Sequence, residues 1–210
     1  NLNNYHNATL YFPSFLSGFE RSAQSLSMPS TALESSMATQ ASGGNTYSSN
    51  GIYVPSSSGT LTGGIYVRGD ATISMSVDGS DRAVYNIVQG ASNRRITVNR
   101  ATNQTTVLNV STGASTTYTG KPEGVDHVGT IIYVNGNVTN FGGTVQKDTQ
   151  MLVASHNDIV IQDNVRYSQF TAAVGTPGTN GYVPPSAEGY TNLLGIMSWT
   201  GNIRVGTSAP

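Results

Sequence analysis

One pattern of hydrophobic and polar positions recurs four times along the chain: apolar–x–apolar, a polar corner, then apolar–x–apolar. It runs through Ile65-Tyr66-Val67-Arg68-Gly69-Asp70-Ala71-Thr72-Ile73 and Ile132-Tyr133-Val134-Asn135-Gly136-Asn137-Val138-Thr139. It returns in Val153-Ala154-Ser155-His156-Asn157-Asp158-Ile159-Val160-Ile161 and in Met197-Ser198-Trp199-Thr200-Gly201-Asn202-Ile203-Arg204-Val205. The corner residues Asp70, Asn137, Asp158 and Asn202 are separated by 67, 21 and 44 residues, which are close to multiples of about 22, a solenoid period. Such a repeat predicts an all-β, right-handed β-solenoid resembling a parallel β-helix, of about five to seven coils. Each coil buries its apolar columns only against its neighbours, so the ends need caps. Ile65, Val67, Ile132, Val134, Val153, Ile159, Ile161, Met197, Trp199, Ile203 and Val205 are expected to point inward. Evenly spaced short strands also fit a β-sandwich, the alternative.

Between the first two repeats the pattern changes. Thr72-Ile73-Ser74-Met75-Ser76-Val77 alternates strictly, Asp78-Gly79 is a turn signal, and 83–88 alternates again. Segments 95–99 and 105–110 flank Ala101-Thr102-Asn103-Gln104 as a hairpin. Coils are expected near residues 91 and 114, but the hairpin signals there are stronger, which predicts a hairpin insertion. Residues 1–50 read as an irregular capping segment with a helix over 31–41. Ser30 or Thr31 is its N-cap, Glu34 completes a capping box, and Gly43-Gly44 ends it. Residues 51–206 form the solenoid domain, with a Gly/Pro-rich loop at 171–190, and residues 207–210 read as a linker. The chain starts at Asn1 without a leader-like run, so it is expected to be a piece of a longer protein.

Composition sharpens this picture. Only 10% of the residues are charged and the net charge is −1, so no global field draws in nucleic acid or an anionic membrane. There is no cysteine, which excludes disulfides and thiolate chemistry and leans towards a bacterial source. No run of 18 apolar residues occurs, so this piece is not expected to enter a membrane.

Candidate chemistry is sparse. The corner Asn and Asp residues satisfy turn backbone, or form a stacked ladder or a cation site. Asp78 and Asp81 share a loop without the bidentate Glu of an EF-hand. His6, His127 and His156 lack metal-ligand spacing. No cofactor is expected. Asp158, Asp163 and Arg166 are the nearest set to a polysaccharide-active groove, with an exposed ion pair as the plainer reading. Eleven tyrosines against five phenylalanines suit sugar stacking or adhesive contact. The best hint is Arg82, Arg94, Arg95 and Arg100 on the hairpin insertion, with Arg68 and Tyr85 as neighbours. Guanidinium groups beside aromatics suit phosphate backbone and stacked bases.

The motifs Gly64-Ile65-Tyr66-Val67-Arg68-Gly69-Asp70, Asp158-Ile159-Val160-Ile161-Gln162-Asp163-Asn164-Val165-Arg166-Tyr167 and Leu194-Gly195-Ile196-Met197-Ser198-Trp199-Thr200-Gly201-Asn202-Ile203 resemble those of a domain in large pilin-like surface proteins of the Deinococcus–Thermus group and other bacteria. The resemblance spans roughly residues 50–206. It implies the β-solenoid part of a competence-associated minor pilin, displayed outside the cell on a type IV pilus. DNA and other pilins would be its partners, and it would not be an enzyme. A glycan-binding adhesin or polysaccharide-active β-helix is the alternative.

Overall fold

The computed structural model describes residues 31–168 and 192–206. The apolar run at 10–16, His6, the loop at 171–190 and the tail at 207–210 lie outside the described residues. The chain is mostly β. One helix, α1 (Thr31–Ser42), precedes β1 (Gly51–Tyr53), β2 (Ser56–Ser57), β3 (Thr60–Leu61), β4 (Ile65–Arg68), β5 (Ala71–Val77), β6 (Ala83–Gln89), β7 (Ser92–Asn99), β8 (Gln104–Asn109) and β9 (Ser115–Thr119). Then come β10 (Thr130–Asn135), β11 (Val138–Val145), β12 (Gln150–Ser155), β13 (Ile159–Tyr167), β14 (Leu193–Ser198) and β15 (Ile203–Val205).

These strands form two mixed sheets, and neither closes on itself. The smaller has the order β1-β4-β10-β12-β14, and the larger β15-β13-β11-β5-β6-β7-β8-β9-β3-β2. Each of the four repeats contributes one strand to each sheet through its polar corner. Strands β4, β10, β12 and β14 pair in parallel, as do β5, β11, β13 and β15. Equivalent side chains therefore stack: Ile65, Ile132, Val153 and Ile196 share one row, and Val67 and Val134 the next. Ile65, Val67, Ile132, Val134, Val153 and Ile159 are fully buried between the sheets with Ile73, Phe141 and Val138. Burial of side chains this size contributes about 1.5–3 kcal/mol each.

The fourth repeat departs from the expected alignment. Val153 pairs with Ile196 and Ile159 with Ile203, so the last corner holds one residue more than the one before it. A one-residue slip moves a side chain to the opposite face of a sheet. Met197 and Trp199 therefore leave the column of Ile65 and pack on the outer side of the smaller sheet, with Tyr66, Tyr133 and Ala154. Leu194 and Ile196 take the inward places. Ile203 and Val205 keep the register of Ile159 and Ile161 and so lie on the inward face, but β15 is the edge of its sheet, and they are left 47% and 73% exposed. Ile161 is half-buried against the core.

The hairpin insertion is an antiparallel meander. Strands β5 to β9 pair in sequence, so the coils expected near residues 91 and 114 are replaced by this sheet extension. Tyr85, Ile87, Ile96 and Val98 continue the core, whereas β9 keeps only Tyr118 half-buried. Helix α1 ends at Gly43 and Gly44, both with positive φ, and Gly44 N–H donates to the Thr39 carbonyl at 3.1 Å. Met37 and Ala41 bury the helix against Tyr66 and Tyr133. Glu34, in the first turn of the helix, sends Oε1 to the smaller sheet, as described below.

Candidate functional site

The pleat of the meander disperses the four arginines. Successive side chains on a strand point to opposite faces. Arg94 lies on the side of the buried Ile96 and Val98, is half-buried, and donates to the Asn93 carbonyl at 3.4 Å. Arg95 faces outward and donates from Nε to Asn86 Oδ1 at 3.1 Å. Arg82 sits in the turn between β5 and β6, paired with Asp78 at 2.7 Å. Arg100 sits in the turn between β7 and β8, where Nη1 donates to the Lys147 carbonyl at 3.0 Å and to Thr149 Oγ1 at 3.4 Å. Arg94 and Arg100 are roughly 20 Å apart by strand rise.

The two neighbours do not join them. Arg68 is on the face of the smaller sheet that carries Tyr66 and donates to the Tyr47 carbonyl at 3.0 Å. Tyr85 is 3% exposed and belongs to the core, so it offers no face for a base. Burial pushes its phenol up to about 12, against a hydrogen bond with Thr130 and the charge of Arg100, which act the other way. The six residues are thus spread over both sheets and both faces of the meander.

The corner residues form a stacked ladder. Asp70 Oδ1 accepts from Asn137 N–H at 2.8 Å and from Asn137 Nδ2 at 2.9 Å. Asn137 Oδ1 accepts from Asp158 N–H at 3.2 Å, and Asp158 Oδ1 from Asn202 N–H at 2.7 Å. Each side chain thereby satisfies the backbone of the next unit rather than its own turn. Asp158 is also paired with Arg204. The corners stack so closely that a Cβ at Gly136 would meet the Gly69 carbonyl carbon at 2.6 Å and the Asp70 nitrogen at 2.9 Å, a separation that excludes any side chain there.

The other candidates are also accounted for. Asp78 accepts backbone N–H bonds from Ser80 and Arg82, both at 3.0 Å. Burial raises its carboxyl, but these bonds and the Arg82 guanidinium outweigh it and hold the group below the usual carboxylate range. Asp81 pairs with Lys147 at 3.1 Å. Asp163 and Arg166 are exposed and not paired with each other, and Arg166 Nε donates to Thr144 Oγ1 at 3.4 Å. Among the described residues no group of three His, Cys, Asp or Glu side chains is placed to hold a metal. His127 precedes β10 and His156 follows β12, at opposite ends of the smaller sheet.

One cluster carried no sequence signal. Glu34 Oε1 accepts from Tyr133 Oη at 2.9 Å and lies 2.5 Å from His156 Nδ1, which fastens α1 to the sheet. Burial raises the Tyr133 phenol well above its ordinary value, and the hydrogen bond and charge of Glu34 raise it further. Beside this cluster run Tyr47 and Tyr53, stacked at 3.8 Å, and Tyr66 and Tyr133, with ring centroids 5.6 Å apart. These four tyrosines are spent on packing α1 and its following loop against the smaller sheet, which absorbs part of the tyrosine excess. Comparison with known protein families, curated proteins and solved structures finds no match for this chain.

Proposed function

We propose that the chain is a non-enzymatic β-solenoid domain of an extracellular, pilus-associated protein of the minor-pilin kind, and that it touches DNA weakly through the outer face of its meander. The observation that carries this reading is the order of the two parallel ribbons. Four strand–corner–strand units succeed one another in the same order in both sheets, as coils of a solenoid do. The units containing Gly64–Asp70, Asp158–Tyr167 and Leu194–Ile203 are those whose motifs resemble the pilin-like family. A short, polar, cysteine-free chain with few charges suits display outside the cell.

The dispersal of the arginines narrows the DNA contact. Arg95 and Arg82 are the two on the outward side of the meander, about 13 Å apart by strand rise. Two phosphate contacts give a salt slope of about −2, where four together would give about −3 to −4. A titration of duplex DNA against salt tests this. Arg82→Ala/Arg95→Ala should abolish binding, and Arg94→Ala/Arg100→Ala should leave it nearly intact. Equal binding by wild type and the Arg82/Arg95 variant, or no binding by wild type at low salt, would sink the DNA reading and leave a structural or adhesive pilus role.

A further inference from the structure

A cavity of about 270 Å³ opens where the turn end of the meander meets the loop before β10 and the turn between β11 and β12. Its lining comes from residues distant in sequence, including Tyr85, Arg100, Glu123, Gln146 and Asp148. The cavity lies just below the size range of drug-sized ligand sites, which suits a smaller molecule. Arg100, Lys121, Gln146 and Asp148 also line an adjoining depression of about 480 Å³, so a bound unit has a path by which to continue outward.

Two features of the lining point to a ligand. Gln146 is 6% exposed; its Nε2 donates to the Asp81 carbonyl, and its Oε1 is buried without a hydrogen-bond partner among the described residues. Turning the amide over would set Oε1 against the Asp81 carbonyl oxygen, so the unpaired atom is the acceptor. A buried acceptor left without a donor is unfavourable, and a hydroxyl or N–H supplied from outside satisfies it. The second feature is Arg100. Lys121 is paired with Glu123 at 2.7 Å and Lys147 with Asp81 at 3.1 Å, whereas the hydrogen bonds of the Arg100 guanidinium go to neutral oxygens, and no carboxylate among the described residues pairs with it.

We propose that this cavity binds a carboxylated sugar unit of the uronic-acid kind, its carboxylate beside Arg100 and a ring hydroxyl donating to Gln146 Oε1. The mixed lining selects against simpler ligands. A bare anion would meet the carboxylates of Glu123 and Asp148, while sugar hydroxyls can donate to both. A neutral sugar would leave Arg100 without its charge-assisted partner. The site is separate from the outward Arg82/Arg95 face, so each reading can fail alone.

The test is titration of the whole chain with sodium glucuronate, with glucose, acetate and inorganic phosphate in parallel, read by the backbone amide shifts of Gly129, Thr130 and Thr149. Glucuronate should saturate these shifts, with the other three about tenfold weaker or silent. Arg100→Gln should weaken glucuronate by about 10- to 100-fold, the range of a hydrogen bond to a charged group. Gln146→Met should weaken it by a smaller factor. Arg100 is exposed, so its variant keeps the test decisive even if Gln146→Met fails to fold. Equal binding of phosphate or acetate would reduce the site to an anion contact and overturn the proposal. Equal binding of glucose, silence towards glucuronate, or an unchanged Arg100→Gln titration would each overturn it as well.

Discussion

In the parallel stack every inward column meets a second sheet, whereas in the meander the second sheet runs out. Strands β4, β10 and β12 each put a fully buried apolar residue opposite the larger sheet, but β8 has only Thr105 fully buried and β9 nothing. The stack and the meander share one sheet and one pleat. What differs is that stacked units repeat both walls of the core, while a meander extends a single wall past its cover. Thr105 illustrates the change: it continues the inward row of Ala83 and Val98, but with a hydroxyl that must be satisfied and donates to the Gly120 carbonyl at 2.7 Å. Apolar burial holds the stack, and side-chain and ladder hydrogen bonds hold the outer meander.

The sharpest way to break this contrast is a buried charge in each region. Val134→Asp should abolish the cooperative melting transition, because an unpaired carboxylate is left in a sealed column. Val107→Asp, on the half-buried part of β8, should still fold with a lowered melting temperature. Equal loss in both would show that the meander is as sealed as the stack.

Next in size is the corner. Asp158→Ala removes the acceptor for Asn202 N–H and the partner of Arg204, and should cost about 1–2 kcal/mol, a drop of several degrees in Tm. Asp158→Asn retains the rung and should recover most of it. An Asn variant as unstable as the Ala variant would mean that the Arg204 pair, not the ladder, holds the corner.

Alkali probes the seam between the two regions. Tyr85, on the meander's inward face, has its phenol raised from 10.0 to about 12. A raised acid group gives stability that is complete below the unfolded pKa and lost as pH climbs through the folded one. Stability should therefore fall between about pH 10 and 12, with Tyr133 adding in the same direction. Tyr85→Phe should flatten that fall, as followed by urea melts across the range; an unchanged slope would remove Tyr85 as its cause.

The smallest effect is expected at the exposed turn of the meander. The Asp78 carboxyl is lowered, so its contribution is present above the unfolded pKa near 4 and is lost as pH falls further. Solvent screens the pair, so Asp78→Asn should cost no more than about 0.5 kcal/mol at neutral pH. A larger loss would show that this turn anchors the whole meander.

Much of the fold was legible because strand alternation and turn chemistry are local. Asp78-Gly79 and Ala101–Gln104 announced their turns, and Ile65, Ile132 and Val153 announced a shared column. The fourth repeat misled because Ile196 and Met197 are both apolar, so either could be taken as the inward residue, and only the extra corner residue decides. The arginines misled for a related reason. Arg94 and Arg95 adjoin in sequence, and adjacency on a strand puts them on opposite faces. The inward place of Tyr85 was written in Ala83-Val84-Tyr85-Asn86-Ile87, where it alternates with buried neighbours. The cavity had no local signal at all, since Arg100, Glu123 and Gln146 meet only when the meander folds back.

The ladder of corner side chains has a direction: Asp70, Asn137 and Asp158 each accept from the unit that follows. Consecutive rungs are 67, 21 and 44 residues apart in the chain, yet all are joined by the same bond. The ladder therefore registers where the chain returns, not how far it has travelled. Lengthening an excursion adds little closure entropy, on the order of 0.6 kcal/mol per doubling. The stack can thus act as a fixed frame into which new lengths of sequence are spliced between rungs, so that the displayed surface can diversify quickly while the spine that carries it stays unchanged.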